Sequence, residues 1–375
     1  MRARSSFRSC FVPNQTNAAA IDALENIRIS IKIEKGGMRM RNDEIAVASA
    51  TVIGGLSFSD GGTPSNIRAI LRAGNDYFLR TIDRLATMHG DDLISALIFN
   101  AIWTANVKHI TYSDANSEYG GMNDIPPDSL RRPVSVLALS GSLRIPYETV
   151  RRYVRALHEQ GLCVRVDGKG VMVPAEVFNR PMFRQAILQE IPSFLRFLED
   201  LKRSEFDFAP YRRRLANTVT LPANGDPPSN LRAILRISME LIMRAVDALG
   251  KVHGDDFLRG FVFTAIWTAN VRHITAGDGN LKFGGLDELP PDEMRRPVSI
   301  AALAGSLRIP YETVRRHAAS LIREGIAIRA DGKGVIIPRA QLDRPAMFEA
   351  IRTSHTHIAR TVADLHRAGF DFSGY

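Results

Sequence analysis

The side chains best suited to chemistry lie in a stretch that occurs twice, letter for letter: GSLRIPYETVRR at Gly141–Arg152 and again at Gly305–Arg316. It combines arginines with a glutamate, a threonine and a tyrosine. In the major groove of DNA an arginine can pair bidentately with guanine, and a glutamate can accept a hydrogen bond from cytosine. These residue types therefore indicate a surface that reads base edges.

A second candidate site combines histidine with aspartate. His89 and His109 recur as His253 and His273, beside Asp-Asp pairs that are also repeated. The histidines fall on different predicted helices and lack a tight ligand spacing such as HExxH. We therefore expect capping and core hydrogen bonding here, with no metal, no cofactor and no catalytic residue. An effector-processing enzyme that uses these residues is the most remote alternative.

The glycine motifs do not indicate an enzyme either. Gly168-Lys169-Gly170 lacks the upstream glycine and the following Ser/Thr of a P-loop. Gly277-Asp278-Gly279 has no predicted strand before it, as a dinucleotide-binding fingerprint would require. The sequence therefore predicts a protein that is not an enzyme.

Both candidate sites belong to a larger internal repeat. Adding 164 to a residue number maps the first copy onto the second without a gap. Because a symmetric dimer interface survives fusion of its subunits, we interpret the two copies as an intrachain pseudo-dimer. The predicted parts are an N-terminal extension at 1–62, expected to be largely disordered, repeat unit 1 at 63–211, a linker at 212–226 and repeat unit 2 at 227–375.

The composition is that of an ordinary globular protein. Of 375 residues, 45% are hydrophobic and 24% are charged, and no apolar run approaches the ~18 residues that a membrane helix needs. Met1–Ala20 has no apolar segment of the signal-peptide kind, and Cys10 and Cys163 do not suggest a disulfide framework. We expect a cytoplasmic, nucleoid-associated protein without a membrane partner.

Helical patterns dominate each unit. In the first, Ser65 is predicted to cap a helix that stops at His89-Gly90, and the almost wholly apolar helix Leu93–Thr111 is predicted to be central and buried. Pro181 opens a third long helix, which Pro192 should kink in the first copy only. The predicted helical segments are 65–113 and 179–205 in unit 1, and 229–277 and 343–369 in unit 2.

The repeated stretch lies within a helix, a turn, a second helix and a hairpin. Ser135 is a candidate N-cap of the first helix, Pro146 opens the second, and Gly161 follows its end. Two β-like runs then surround the turn Asp167–Gly170. This is the order of a winged helix-turn-helix. The predicted segments are 131–174 and 295–338.

The segment PVSVLALSGSLRIPYETVRRYVRALHEQGLCVRVDGKGVMVP resembles the winged helix-turn-helix of GntR-like and IclR-like bacterial transcription regulators, and the flanking helices resemble those of MarR-like dimers. The shared signature is Thr149-Val150-Arg151, Gly161 and Gly168-Lys169-Gly170, each repeated in the second copy. Pro146 stands where GntR-like proteins commonly have serine. The resemblance implies a mainly α fold with small β-wings, two tandem units and a double-stranded DNA partner.

Helical geometry divides the second helix into two faces. Val150, Val154 and Leu157 fall together and should pack inwards, while the arginines point outwards. Lys169 at the wing tip would reach a phosphate or the minor groove. The predicted DNA-contacting residues are Arg144, Tyr147, Glu148, Thr149, Arg151, Arg152, Arg155 and Lys169 in unit 1, and Arg308, Tyr311, Glu312, Thr313, Arg315, Arg316 and Lys333 in unit 2.

The charge distribution favours the same function. Arg131–Pro174 and Arg295–Pro338 each contain eight Lys/Arg and three Asp/Glu, so together they carry +10, against +9 for the whole chain. The sequence therefore predicts a transcriptional regulator that reads two similar half-sites. A plasmid- or phage-type replication initiator is the first alternative, and a protein-interaction module that does not bind DNA is the second.

The central helix also carries polar groups that need partners when buried. These are Trp103, Thr104, Asn106 and His109, with their counterparts in the second copy. The opposite unit and a small-molecule effector are the two candidate partners, of which we expect the structural one.

Overall fold

The chain is mainly helical where the computed structural model describes it, with thirteen α-helices and two small antiparallel sheets in that part. The described residues are 64–113, 115–219, 228–277, 279–330, 332 and 334–375. The predicted N-terminal extension, 1–62, lies outside them, as do 220–226 of the predicted linker and Lys333. No helix in this part is both long and apolar enough to cross a membrane.

The two repeats contain the same elements in the same order, except that a 3-10 helix, Ala175–Asn179, stands in the first repeat where the second has a short α-helix. The first has α1 (Ile67–Met88), α2 (Leu93–Thr111), α3 (Ala115–Glu118), α4 (Val136–Leu143), α5 (Tyr147–Glu159), β1 (Val164–Val166), β2 (Gly170–Met172) and α6 (Pro181–Arg203). The second has α7 (Leu231–Val252), α8 (Phe257–Val271), α9 (Gly279–Lys282), α10 (Ile300–Leu307), α11 (Tyr311–Arg323), β3 (Ile328–Ala330), β4 (Gly334–Ile336), α12 (Arg339–Leu342) and α13 (Pro345–Arg367).

Capping side chains set the starts of α2 and α4, and of their counterparts α8 and α10. Asp92 accepts hydrogen bonds from the backbone N–H groups of Ile94 and Ser95 at the start of α2. Ser135 accepts from Ala138 N at 3.1 Å at the start of α4, as predicted. Each cap satisfies N–H groups that have no partner within the helix.

The predicted cap at Ser65 is wrong. Helix α1 begins at Ile67, so Asn66 occupies the N-cap position, and its side chain caps nothing. The Asn66 amide instead donates to the carbonyl oxygens of Ser204 and Glu205, at 2.6 and 2.8 Å. A tertiary contact with the end of α6 has replaced the local cap, and that competition is invisible in the local sequence.

The central position of α2 is as predicted. Its buried residues lie on all sides, and it contacts α1, α4, α5 and β2 of its own repeat and α7 of the other. Helix α8 makes the corresponding contacts in the second repeat, including one with α1. Helix α6 continues through Pro192 as one helix of 23 residues, the same length as α13.

The contacts between the repeats are reciprocal. The backbone N–H of Arg68 donates to Gly284 O at 2.7 Å, and that of Arg232 donates to Gly120 O at the same distance. Their side chains repeat the pattern, since each Nε donates to a carbonyl oxygen two residues farther along the opposite loop. Each repeat is therefore bonded to the opposite one through the same arginine.

Candidate nucleic-acid interface

A three-residue turn sets the angle between α4 and α5. Its first residue, Arg144, has a left-handed backbone with φ of 53°, and Arg308 has φ of 51° at the same place in the second repeat. The turn is closed on one side by Ser140, whose hydroxyl donates to Ile145 O at 2.7 Å. Left-handed backbone is costly for a residue with a side chain, so other contacts must hold it in place.

The inner face of α5 packs as predicted. Val150, Val154 and Leu157 are each at most 1% exposed and belong to the hydrophobic core together with Leu139 and Leu143 of α4. Because this face is fully used in packing, the opposite face of α5 is the one that is turned to solvent. Helix α11 has the same arrangement, with Val314, Ala318 and Leu321 buried.

The hairpin after α5 is fixed to the start of the basic segment. Val164 pairs with Met172 in the antiparallel register, and Val171 bridges to Val134. Gly170 has φ of 123°, and a Cβ there would collide with the carbonyl of Val134, so only glycine fits. Gly334 is under the same constraint from Val298.

A buried asparagine connects the hairpin to the central helix. Asn106 is fully buried; its Nδ2 donates to Arg132 O at 2.8 Å and to Val171 O at 3.3 Å, and its Oδ1 accepts from Val173 N at 2.9 Å. Asn270 makes the equivalent three bonds in the second repeat. The partner of this polar group is therefore the hairpin of its own repeat, neither the opposite unit nor an effector.

The solvent-facing side of α5 carries most of the predicted contact residues. Tyr147 is 42% exposed and Tyr311 is 53% exposed. Arg151 Nη2 lies 2.8 Å from Glu148 Oε2, and Arg315 forms the same pair with Glu312 at 2.6 Å. The exposed pairs recur in both repeats, which places equivalent groups on the two helices.

Arg152 and Arg316 differ from their neighbours. Both are exposed, and neither has a carboxylate within 4 Å among the described residues. The Arg152 guanidinium lies 5.5 Å from the ring centroid of Tyr153. These two arginines are thus exposed cations on α5 and α11 without an ion pair in the described part of the chain.

The other predicted contact residues are less alike in the two repeats. Thr149 and Thr313 are half-buried at the start of α5 and α11. Arg155 lies 3.8 Å from Glu159 and has no counterpart, because Ala319 stands at the matching position. Lys169 is exposed in the hairpin turn.

Arg144 and Arg308 have a role that the sequence did not predict. Arg144 Nε lies 3.0 Å from Asp247 Oδ1, and its Nη1 lies 2.8 Å from Asp255 Oδ1 in the second repeat. Arg308 reaches back to Asp83 and Asp91, both at 2.6 Å. These ion pairs occupy the guanidinium groups and connect each turn to the opposite repeat. The sequence did contain a sign of these ion pairs, because all four aspartates fall at matching positions in the two copies.

Two further pairs of exposed arginines were not singled out from the sequence. Arg132 and Arg296 precede α4 and α10, and Arg165 and Arg329 lie in the middle of β1 and β3. None of the four has an ion-pair partner in the described part of the chain. They had contributed only to the charge count of the basic segments.

His89, His253 and the aspartates beside them make contacts within the protein. His89 packs on Phe99 with 5.1 Å between ring centroids, and His253 packs on Phe263 at 4.6 Å. Asp92 caps α2, while Asp91 pairs with Arg308. The described residues contain no group of three or more His, Cys, Asp or Glu side chains placed to hold a metal ion.

Burial of the histidine rings predicts a pH-dependent stability. Desolvation lowers the pKa of His253, and separately of His89, to about 4. The unfolded chain, with histidine near 6.5, therefore binds more protons between pH 6.5 and pH 4, so the free energy of unfolding decreases as the pH falls through that window. The contribution of His253 is at most about 3 kcal/mol.

The measurement is urea denaturation across this pH range. His253→Gln should reduce the slope of unfolding free energy against pH by about one proton. His89→Gln removes the corresponding ring of the first repeat, whose pKa is also lowered to about 4, and should reduce the slope by a similar amount. An unaltered slope in His253→Gln would show that the ring titrates in the folded state as it does in the unfolded one.

The chain has no match among protein-family models, curated proteins or solved structures. Its function is therefore inferred from its own residues, above all from the solvent-facing sides of α5 and α11.

Proposed function

We propose that this protein is a sequence-specific, DNA-binding transcriptional regulator with two winged helix-turn-helix units, whose recognition helices are α5 and α11. The order of α4, turn, α5 and hairpin supports this function, because in such units the second helix enters the major groove. The hairpin would be the wing, with Lys169 at its tip.

One observation carries the proposal: the N-terminal halves of both helices present the same exposed side chains. Residues 144–152 and 308–316 are identical, including the exposed Tyr, Glu and Arg side chains that packing does not constrain. Core packing explains the identity of buried residues only. Identical solvent-facing residues are what the reading of two similar half-sites requires.

The pairing of the two helices is the second part of the proposal. Reciprocal hydrogen bonds at Arg68 and Arg232, and the ion pairs of Arg144 and Arg308, tie each unit to the other. A chain whose two units are bonded to each other would bind DNA as a dimer does, with its recognition helices at a fixed separation. We therefore expect half-sites separated by about one turn of DNA, or a multiple of it.

Arg144 and Arg308 would hold the recognition helices in place, and the neighbouring residues would contact the bases. Arg152 and Arg316 would pair with base edges, since they are exposed and lack a carboxylate partner among the described residues. The Arg151–Glu148 pair would contact bases or phosphates beside them. Arg132 and Arg165 would add phosphate contacts, because exposed cations next to a reading helix neutralise the DNA backbone.

The salt dependence of DNA affinity tests this proposal. Each neutralised phosphate contributes about 0.9 to the slope of log affinity against log salt. We expect a steep slope for the whole protein and a slope lower by about 0.9 for Lys169→Ala, equally on all sequences. Lys282→Ala, an exposed lysine on α9, is the control and should not change the slope. A wild-type slope near zero would favour the protein-interaction module instead.

A further inference from the structure

The exposed side chains of α5 and α11 differ in the second half of the two helices. The first half is identical, but Arg155 of α5 stands where α11 has Ala319. Glu159 is also replaced, by Arg323. Three of these four residues are exposed, and Ala319 is half-buried. The two helices therefore present the same groups over their first turns and different groups beyond them.

Arg155 lies on the same face of α5 as the identical exposed residues. It follows Glu148 by seven residues, Arg151 by four and Arg152 by three, and these spacings put side chains on one side of a helix. Its side chain is 65% exposed. At the rise of an α-helix it lies about 4.5 Å beyond Arg152 along the axis, and successive base pairs of DNA are about 3.4 Å apart. Arg155 therefore extends the exposed polar face of α5 by about one base pair.

The ion pair of Arg155 competes weakly with an external partner. Arg155 Nε lies 3.8 Å from Glu159 Oε1, whereas Arg151 Nη2 lies 2.8 Å from Glu148 Oε2. The side chain of Glu159 is 69% exposed, so water screens both charges of the longer pair. Exposed ion pairs at this spacing contribute little to stability. An acceptor on DNA can therefore replace Glu159 at small cost.

Helix α11 has a methyl group at the place of this arginine. Ala319 cannot donate a hydrogen bond, and the next basic residue along the helix is Arg323. Arg323 lies four residues farther, which is about 6 Å along the axis, and its Nη2 donates to Ser320 Oγ at 3.3 Å. A contact at the place of Arg155 is therefore open to the first unit and closed to the second.

We propose that Arg155 reads a guanine next to the half-site of the first unit, so that the protein binds its target DNA in one orientation. This inference rests on the proposed function. A guanidinium group pairs bidentately with the O6 and N7 atoms of guanine in the major groove, and a methyl group cannot. The first unit thus reads a half-site that is longer by one base pair. A target with this guanine on one side fixes which unit binds there.

Selection from random double-stranded DNA gives the first readout. The expected motif has two near-identical half-sites, of which only one is extended by a guanine. Arg155→Ala should remove this guanine and keep both half-sites. Ala319→Arg should add a guanine at the matching place beside the other half-site and make the motif symmetric. Thermal unfolding checks that each variant is folded.

Fluorescence anisotropy on duplexes with and without the guanine measures the size of the effect. We expect the unaltered protein to prefer the guanine about tenfold, within the range for one bidentate base contact. Arg155→Lys keeps the charge but loses the planar fork, so it should lose most of this preference and keep most of the affinity. Arg196→Ala is the control, because it removes an exposed arginine that lies 3.9 Å from Asp200, four residues along α6. It should keep the preference.

Site-directed cleavage of the selected duplex measures the orientation. Asp167→Cys, in the exposed turn of the first hairpin, carries an iron–EDTA group in a Cys10→Ser background, and the remaining Cys163 is buried. Cleavage is expected beside the extended half-site only. With Arg155→Ala in the same labelled protein, the two half-sites should be cleaved equally, because nothing then distinguishes the two orientations.

The outcomes separate this inference from the function on which it rests. Two half-sites without the extra guanine, or cleavage beside both by the labelled protein with Arg155 in place, would overturn the inference and leave the proposed function standing. An unchanged motif with an equal loss of affinity on all sequences in Arg155→Ala would also overturn it, since the contact would then be to phosphate. So would a guanine preference that is lost in Arg323→Ala and kept in Arg155→Ala. No enrichment by the unaltered protein would overturn the proposed function and this inference together.

Discussion

Replacing Arg152 and Arg316 together with alanine is expected to abolish sequence discrimination while leaving the fold intact. Both side chains are exposed, and the described residues contain no carboxylate partner for either. A bidentate contact with a base contributes about 1–3 kcal/mol, so the loss of two lowers specific affinity about 30-fold or more. Fluorescence anisotropy on specific and scrambled duplexes measures both affinities, and circular dichroism checks the fold.

The control for this variant removes the same charge elsewhere. Arg196 and Arg352 are exposed on α6 and α13, and Arg196→Ala/Arg352→Ala should keep the ratio of specific to scrambled affinity. If both double variants lose specific affinity equally, general electrostatic attraction would explain the binding, and α5 and α11 would not be reading helices.

The second large effect concerns Asn106, which holds the hairpin to the central helix. Asn106→Ala leaves Val173 N without its acceptor and Arg132 O without its side-chain donor, and it removes the longer bond to Val171 O, which still accepts from Val134 N. We expect the free energy of unfolding to fall by about 2–4 kcal/mol, since unsatisfied buried groups keep their full desolvation cost. Urea denaturation measures the change.

The comparison for this variant lies on the same helix. Asn100 is also buried, but its side chain donates only to Ala96 O within α2, so Asn100→Ala should cost clearly less. Asn270→Ala should match Asn106→Ala, because it removes the same three bonds. Equal costs at Asn100 and Asn106 would show that the bonds to the hairpin contribute little.

The helices could be predicted because their signals are local. The bounds of α2, Leu93–Thr111, are those expected from its apolar run and the preceding acidic pair. The turn before α5 and the end of α5 were likewise marked by Pro146 and Gly161, the latter with φ of 65°. The inward face of α5 follows from helical periodicity alone.

The role of Arg144 could not be predicted in this way. Its partners, Asp247 and Asp255, lie 103 and 111 residues away in the sequence. Charge type and position made Arg144 resemble its exposed neighbours, and only the packing of α4 against α7 separates them. Net charge likewise did not distinguish Arg131, which is 5% exposed, from the surface arginines of the same segment.

A cavity of about 220 Å³ between the repeats could not be predicted from the sequence either. Phe99 and Trp103 in its lining come from one repeat and Arg232 and Arg236 from the other, so no contiguous motif contains it. Trp103 had been noted as a polar group on a buried helix that needs a partner. A second cavity of about 320 Å³ lies at the equivalent place in the other repeat. Met347 replaces Phe183 there and Ala248 replaces Arg84, and only the structure shows that these differences fall in the lining of the two cavities.

Selection from random double-stranded DNA with the full-length protein tests the central claim most directly. We expect a motif of two near-identical half-sites at one fixed spacing, because the N-terminal halves of α5 and α11 carry the same exposed residues and the two repeats are bonded to each other. The same selection with Arg152→Ala/Arg316→Ala should recover no motif. A single motif without a second half-site, or no enrichment by the unaltered protein, would contradict the claim that the repeated stretch is a pair of reading heads.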